Sequence, residues 1–196
     1  MPNMMDKGNI QIRRGVFETN SSSTHAICIK KEGEFSFPTE KSWDESPIVR
    51  FHANFEFGWE WAECYDIESK AAYLYEAIVY TCDVILKEAS IGEQVDYVYK
   101  QIQKIKSWLD EDNIIGYFDD LRLQLGDYTS IEAEGHIDHG DECDDFVKWV
   151  MESKEHLYAY LFNSKSYITM GNDNCDDKEL VIPSKDGDYE IFYKGN

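Results

Sequence analysis

The positions of apolar residues follow two different periods along this chain. A polar turn at Asn20 to Ser23 leads into a strand from about His25 to Lys31. Ile48 to Phe57 alternates, with Val49, Phe51, Ala53, Phe55 and Phe57 on the buried side and His52 on the wetter one. From Asp66, a good N-cap, the period lengthens. Ala71, Leu74, Ala77, Ile78, Thr81, Val84 and Ile85 form one apolar stripe, which predicts a helix over about 67–89. Gly92 breaks it, and a second helix over about 93–110 turns Val95, Val98, Tyr99, Ile102, Ile105 and Leu109 inward. Tyr117 to Leu125 fits a strand or a short helix. Asp144 or Asp145 then caps a third helix through about Tyr160, with Phe146, Val147, Val150, Leu157 and Leu161 inward.

Ser166 to Met170 reads as a strand and Gly171 to Asn174 as a tight turn. Leu180 to Ile182 and Tyr189 to Tyr193 read as a terminal hairpin about the Pro183 to Gly187 turn. Residues 32–47 hold the loop prolines, and residues 1–11 have little to bury. Helices in the middle with strands before and after predict an α+β fold. The expected form is a mainly antiparallel sheet of four to six strands with about three helices packed on one face. At 196 residues the chain suits one domain, 1–196.

Composition sharpens this picture. A hydrophobic content of 42% with 14% aromatics predicts a folded chain, so its acidity is a property of the surface. There are 39 Asp and Glu against 19 Lys and Arg, a formal net charge of -20. Such a charge repels nucleic acid and anionic membranes and attracts basic proteins. No apolar run is long enough for a membrane span, and the N-terminus lacks the apolar core of a secretory signal. Five scattered cysteines without a C-x-x-C pair point to a reducing, cytoplasmic setting with thiols used as packing residues.

The acidity is concentrated from Ser107 to Val147, where thirteen carboxylates face one cation, Arg122. Duplex DNA carries one charge per roughly 1.7 Å of axis, and a dense carboxylate surface is how a protein approaches that density. The expected partner is therefore a basic, nucleic-acid-binding protein. The expected contacts are Asp110, Glu111, Asp112, Asp119, Asp120, Asp138, Asp141, Glu142, Asp144 and Asp145. Direct binding of nucleic acid or membrane is not expected.

A second class of function competes. Ser22 and His25, with His139, carry the residue types of a nucleophile and base. Glu134-Gly135-His136-Ile137-Asp138-His139 resembles the H-x-H-x-D-H run of the metallo-β-lactamase superfamily, with Glu134 in place of the first histidine. That likeness implies a divalent metal at His136, Asp138 and His139. A metal-dependent hydrolase or nucleotide-binding enzyme would need Asn20 to His25, His136 to His139 and Asn172 to Asn174 to converge in one cleft. The Asn172 to Glu179 run fails as an EF-hand, because Asp177 stands where the loop glycine belongs and Pro183 where the bidentate Glu belongs. There is no P-loop and no G-x-G-x-x-G after a strand.

The run RRGVFETNSSSTHAICI, with FEFGWEW, GHIDHGDE and LFNSKSYITMGNDN, is similar to a group of poorly characterised proteins of Firmicutes and their phages. The resemblance implies a phage or mobile-element context in a bacterial cytoplasm, where an acidic inhibitor would act on a host or defence protein. It brings no activity or site residues to carry over.

Overall fold

The computed structural model describes residues 23–52, 55–58, 61–85, 89–118, 136–138, 140, 143–172, 180, 182–183 and 187–194. In chain order the elements are β1 (Ser23–Lys30), β2 (Ile48–Phe51), β3 (Glu56–Phe57), β4 (Ala62–Cys64), α1 (Ile67–Ile85), α2 (Ile91–Glu111), β5 (Ile115–Phe118), β6 (His136–Ile137), α3 (Cys143–Val150), α4 (Lys154–Phe162), β7 (Tyr167–Asn172) and β8 (Tyr189–Lys194). The fold is α+β. Four strands form an antiparallel sheet in the order β4-β7-β1-β8, and two short parallel pairs, β2-β5 and β3-β6, stand beside it.

β1 is an inner strand, paired with β7 from Ser23↔Asn172 to Cys28↔Tyr167 and with β8 from His25↔Lys194 to Lys30↔Tyr189. Its near-continuous apolar run is what burial on both faces requires. Ile27 and Ile29 join Ile168 and Met170 in the main core with the helices, while Ala26 and Cys28 join Tyr167 in a smaller cluster on the opposite face. Ile182, Tyr189 and Ile191 pack against that second cluster, so the described helices occupy one side of the sheet, as the segregation of elements predicts.

α1 is buried all round rather than along one stripe. Every residue from Lys70 to Val79 is at most 6% exposed. Small residues at Ala71, Ala72 and Ala77 let neighbouring elements approach closely, and α1 touches α2, α3, α4, β2 and β6. Asp66 caps it as expected, accepting from the Ser69 amide at 2.7 Å.

α2 starts two residues before the expected position. Ser90 and Glu93 form a reciprocal capping box, so Gly92 lies inside the first turn and does not separate the helices. Gln94 is buried on this helix and Tyr99 is 46% exposed, the reverse of the expected inward set at that position. The expected third helix is two helices. Ser153 caps α4 by accepting from the His156 amide at 3.1 Å, which restarts the chain after the turn at Met151 and Glu152. The His156 ring stacks on Trp149 across that break at 3.8 Å.

Three strand expectations are also corrected. The 48–57 run is divided between β2 and β3, although Val49, Phe51 and Phe57 are buried as the alternation requires. His52 is not an ordinary surface histidine, because its side chain is 14% exposed and sits 3.3 Å from Glu68. β8 pairs with β1, and Val181 and the 184–186 turn of the expected terminal hairpin lie outside the described residues. Gly171 and Asn172 continue β7 instead of opening a turn. The strand-or-helix stretch from Asp119 to Leu125 lies outside the described residues.

Candidate protein-binding surface

The three polar segments of the enzyme reading do meet, at the N-terminal end of β1. Ser23 pairs with Asn172 in register, and its hydroxyl donates to the Asp138 carbonyl at 3.1 Å across 115 residues of chain. The junction is close-packed. Gly58, at φ +106°, sits where a Cβ would come within 3.0 Å of Asp138 Cβ and 3.4 Å of Ser23 Cβ. Its amide contacts Met170 Sδ at 3.3 Å. β6, expected as loop, pairs in parallel with β3 through Glu56↔His136 and Phe57↔Ile137 and brings Asp138 to this point.

Two of the residues named for chemistry are interior there. His25 is 1% and Asp138 8% exposed, beside the fully buried Ser23, and His25 meets Tyr73 of α1 edge-on at 6.3 Å. Burial removes Asp138 from any exposed carboxylate face, which corrects its place among the partner contacts. Ser22, His139, Asp173, Asn174 and the side chains of His136 and Asn172 lie outside the described residues. Among the described residues no group of three His, Cys, Asp or Glu side chains is placed to hold a metal ion.

The described carboxylates of the acidic stretch fall into two groups, each with its own lysine. Glu111 and Asp112 at the end of α2 contact Lys154 at 3.0 and 2.7 Å, beside Asp110. The Lys154 hydrogen bond, followed by one from Tyr158, holds the Asp112 carboxyl below its usual range. Asp144 and Asp145 at the start of α3 contact Lys148 at 3.1 and 3.3 Å. The two groups sit on different helices, each tied to its own lysine. Lys104 and Lys106, also on α2, are engaged elsewhere, the first donating to the Met151 carbonyl at 2.5 Å and the second lying over Phe118. Asp119, Asp120, Asp141 and Glu142 lie outside the described residues.

The C-terminal end of β1 carries a different surface, the strap of residues 31–47. Asn163, just after α4, holds its start by donating from Nδ2 to the carbonyls of Lys30 and Glu32 at 3.1 and 3.3 Å. Ser36 donates its amide to the Phe162 carbonyl at 2.7 Å, which lays Phe35 and Phe37 beside Tyr158 at ring separations of 6.1 and 6.2 Å. The far part of the strap is a turn closed at Lys41↔Pro47. Ser42 bonds Asp44, the Ser46 amide donates to Ser42 Oγ at 3.2 Å, and Lys41 pairs with Glu45 at 3.6 Å. Ser42 and Ser46 keep the Asp44 carboxyl below its usual range.

This turn displays Trp43, 96% exposed. Its foot, Pro47, forms one wall of a groove of about 500 Å³ with Phe35, Phe37, Ile114, Lys154 and Tyr158. A second cleft of about 420 Å³ lies on the other side of Phe37, between the strap and the start of α1. Reading the strap as a plain loop overlooks Trp43. The available signal was a large apolar residue framed by turn formers, Ser42-Trp43-Asp44, where nothing in the pattern asks for burial.

No described helix is long and apolar enough to cross a membrane. No family model, no curated protein and no solved structure matches this chain.

Proposed function

We propose that the chain is a non-enzymatic interaction protein that binds a basic, nucleic-acid-handling protein through its acidic surface. In the phage setting implied by the sequence resemblance, it is an inhibitor that occupies the partner's nucleic-acid groove in the bacterial cytoplasm. The observation that carries the proposal is the net charge of -20 on a folded, aromatic-rich chain. His25 and Asp138, the described candidates for nucleophile chemistry and metal binding, are buried beside the close-packed Ser23–Gly58 junction, which favours binding over turnover.

The carboxylate groups at the end of α2 and the start of α3 are each partly neutralised by one lysine, Lys154 and Lys148. Long-range attraction of a cationic partner survives that pairing, since it depends on total charge and ionic strength.

The test is capture from a bacterial lysate on the immobilised protein at low salt, with elution at high salt. The eluted fraction is expected to be dominated by nucleic-acid-binding proteins and to be lost in Asp144→Lys/Asp145→Lys. A fraction that charge reversal leaves unchanged overturns the proposal.

A further inference from the structure

We infer that the 31–47 strap is the docking site for one kind of occupant, a basic peptide segment that carries a large apolar side chain between its cations. The inference rests on the electrostatic reading above and adds to it a location and an apolar specificity.

Three observations converge. First, Trp43 stands apart from the other exposed aromatics. Tyr193, next most exposed of the large hydrophobics described, is at 52%, against 96% for Trp43. Exposing a Trp so completely on a turn held by Ser42, Asp44, Ser46 and the Lys41–Glu45 pair presents a pre-ordered anchor, and Trp is the residue most enriched at binding hot spots.

Second, the foot of that turn is the wall of the groove. Pro47 closes the Trp43 turn against Lys41 and also lines the groove with Phe35, Phe37 and Tyr158, so the anchor's turn adjoins the receptor. Phe35 and Phe37 remain 40% and 44% exposed in the chain alone, apolar area that an occupant would cover.

Third, the charge selects the occupant. The strap holds Glu32, Glu34, Glu40, Asp44 and Glu45 against Lys31 and Lys41, and Glu155 and Asp112 border the groove. Lys154, the groove's cation, is bound to both Glu111 and Asp112 and lies over the Tyr158 ring. Carboxylates therefore outnumber cations around an apolar slot. A second copy of the chain would bring the same negative charge to this surface, so self-association is disfavoured.

The experiment compares two synthetic peptides of equal length and equal positive charge. One has Leu and Phe between its arginines, and the other has Ser and Gly. Affinity is measured by calorimetry on the full chain and on Trp43→Ala, with unfolding curves to confirm that the variant folds. The apolar peptide is expected to bind roughly tenfold more tightly than the polar one, about 1.4 kcal/mol. Trp43→Ala is expected to erase that preference and leave the polar peptide unaffected. Equal affinity for the two peptides, or a preference that survives Trp43→Ala, overturns the inference while the charge-driven reading stands. Failure of both peptides to bind overturns both. Sedimentation showing a dimer that Trp43→Ala dissociates assigns the groove to a second copy and also overturns the inference.

Discussion

Lys70 and Asn163 hold one another in place at the root of the strap. The Lys70 ammonium, 1% exposed, donates to the Asn163 carbonyl at 3.2 Å and to the Ser166 carbonyl at the same distance. The Asn163 side chain meanwhile grips Lys30 and Glu32 and accepts from the Lys165 amide at 3.0 Å. A buried cation thus fixes the turn after α4, and that turn fixes where the strap departs from β1.

Asn163→Ala removes three hydrogen bonds made by one buried side chain. At about 1 kcal/mol each, a loss of roughly 2–3 kcal/mol is expected in urea unfolding. The same variant should loosen the strap, read as faster proteolysis between residues 31 and 47. A variant of unchanged stability would mean that backbone bonds, such as those of Ser36 to Phe162 and Lys31 to Asp188, suffice to hold the strap.

Gly58→Ala tests the junction where the polar segments meet. The positive φ by itself costs about 1 kcal/mol for a residue with a Cβ, and contact with Asp138 at 3.0 Å adds an overpacking cost of roughly 1–3 kcal/mol. Gly187→Ala supplies the comparison, because Gly187 has φ +92° and nothing within 4 Å. Gly58→Ala is expected to be the more destabilising of the two in chemical denaturation, and the difference measures the packing contribution.

Ser23→Ala addresses the hydroxyl itself. As a buried donor to the Asp138 carbonyl, it should contribute about 1–2 kcal/mol to stability and nothing to peptide binding at the far end of β1. Seven residue steps along the strand, about 23 Å, separate Ser23 from Lys30. A binding defect in a variant of near-native stability would show that the two ends of β1 are functionally coupled.

What the sequence made legible follows from how local each signal is. Asp66 with the 3.6-residue period locates α1, and alternation locates the buried residues of β2 and β3. The start of α2 is misread because Gly92 outweighs the capping pair Ser90 and Glu93, although that pair is equally local. The break before α4 depends on one serine, Ser153, inside a stretch whose apolar spacing continues across it. β6 has two residues, too few to show any period, and its parallel partners in β3 lie 80 positions away. Ser23, Asp138 and Asn172, from the three segments the enzyme reading named, meet in a junction whose close packing involves Gly58, which no local pattern ties to them. The acidic run misleads at Asp138, because lying among carboxylates in sequence does not keep a side chain on the surface.

Two buried ionisable groups on α1 make stability depend on pH with opposite signs. Glu76 is 3% exposed, and burial, opposed by the Phe55 amide that bonds Oε1 at 3.3 Å, pushes its carboxyl up from 4.5 to about 8. Between those values the folded chain holds a proton that the unfolded chain has lost. Stability therefore falls as pH rises through this window, by at most about 1.4 kcal/mol per pH unit. Burial, partly offset by Asp66, lowers Lys70 from 10.5 to about 8. There the unfolded chain holds the extra proton, and stability rises from about pH 8 toward 10.5. The two windows meet near pH 8, where these two groups together place a minimum. Glu76→Gln keeps the Oε1 acceptor and removes the titration, so it should flatten the decline below pH 8 and leave the rise above it. Lys70→Met should do the reverse at the expense of overall stability, since the Asn163 and Ser166 carbonyls lose their donor. Melting temperatures across that pH range, at constant ionic strength, check both. A wild-type decline that persists undiminished in Glu76→Gln would show that the carboxyl is already ionised in the folded chain.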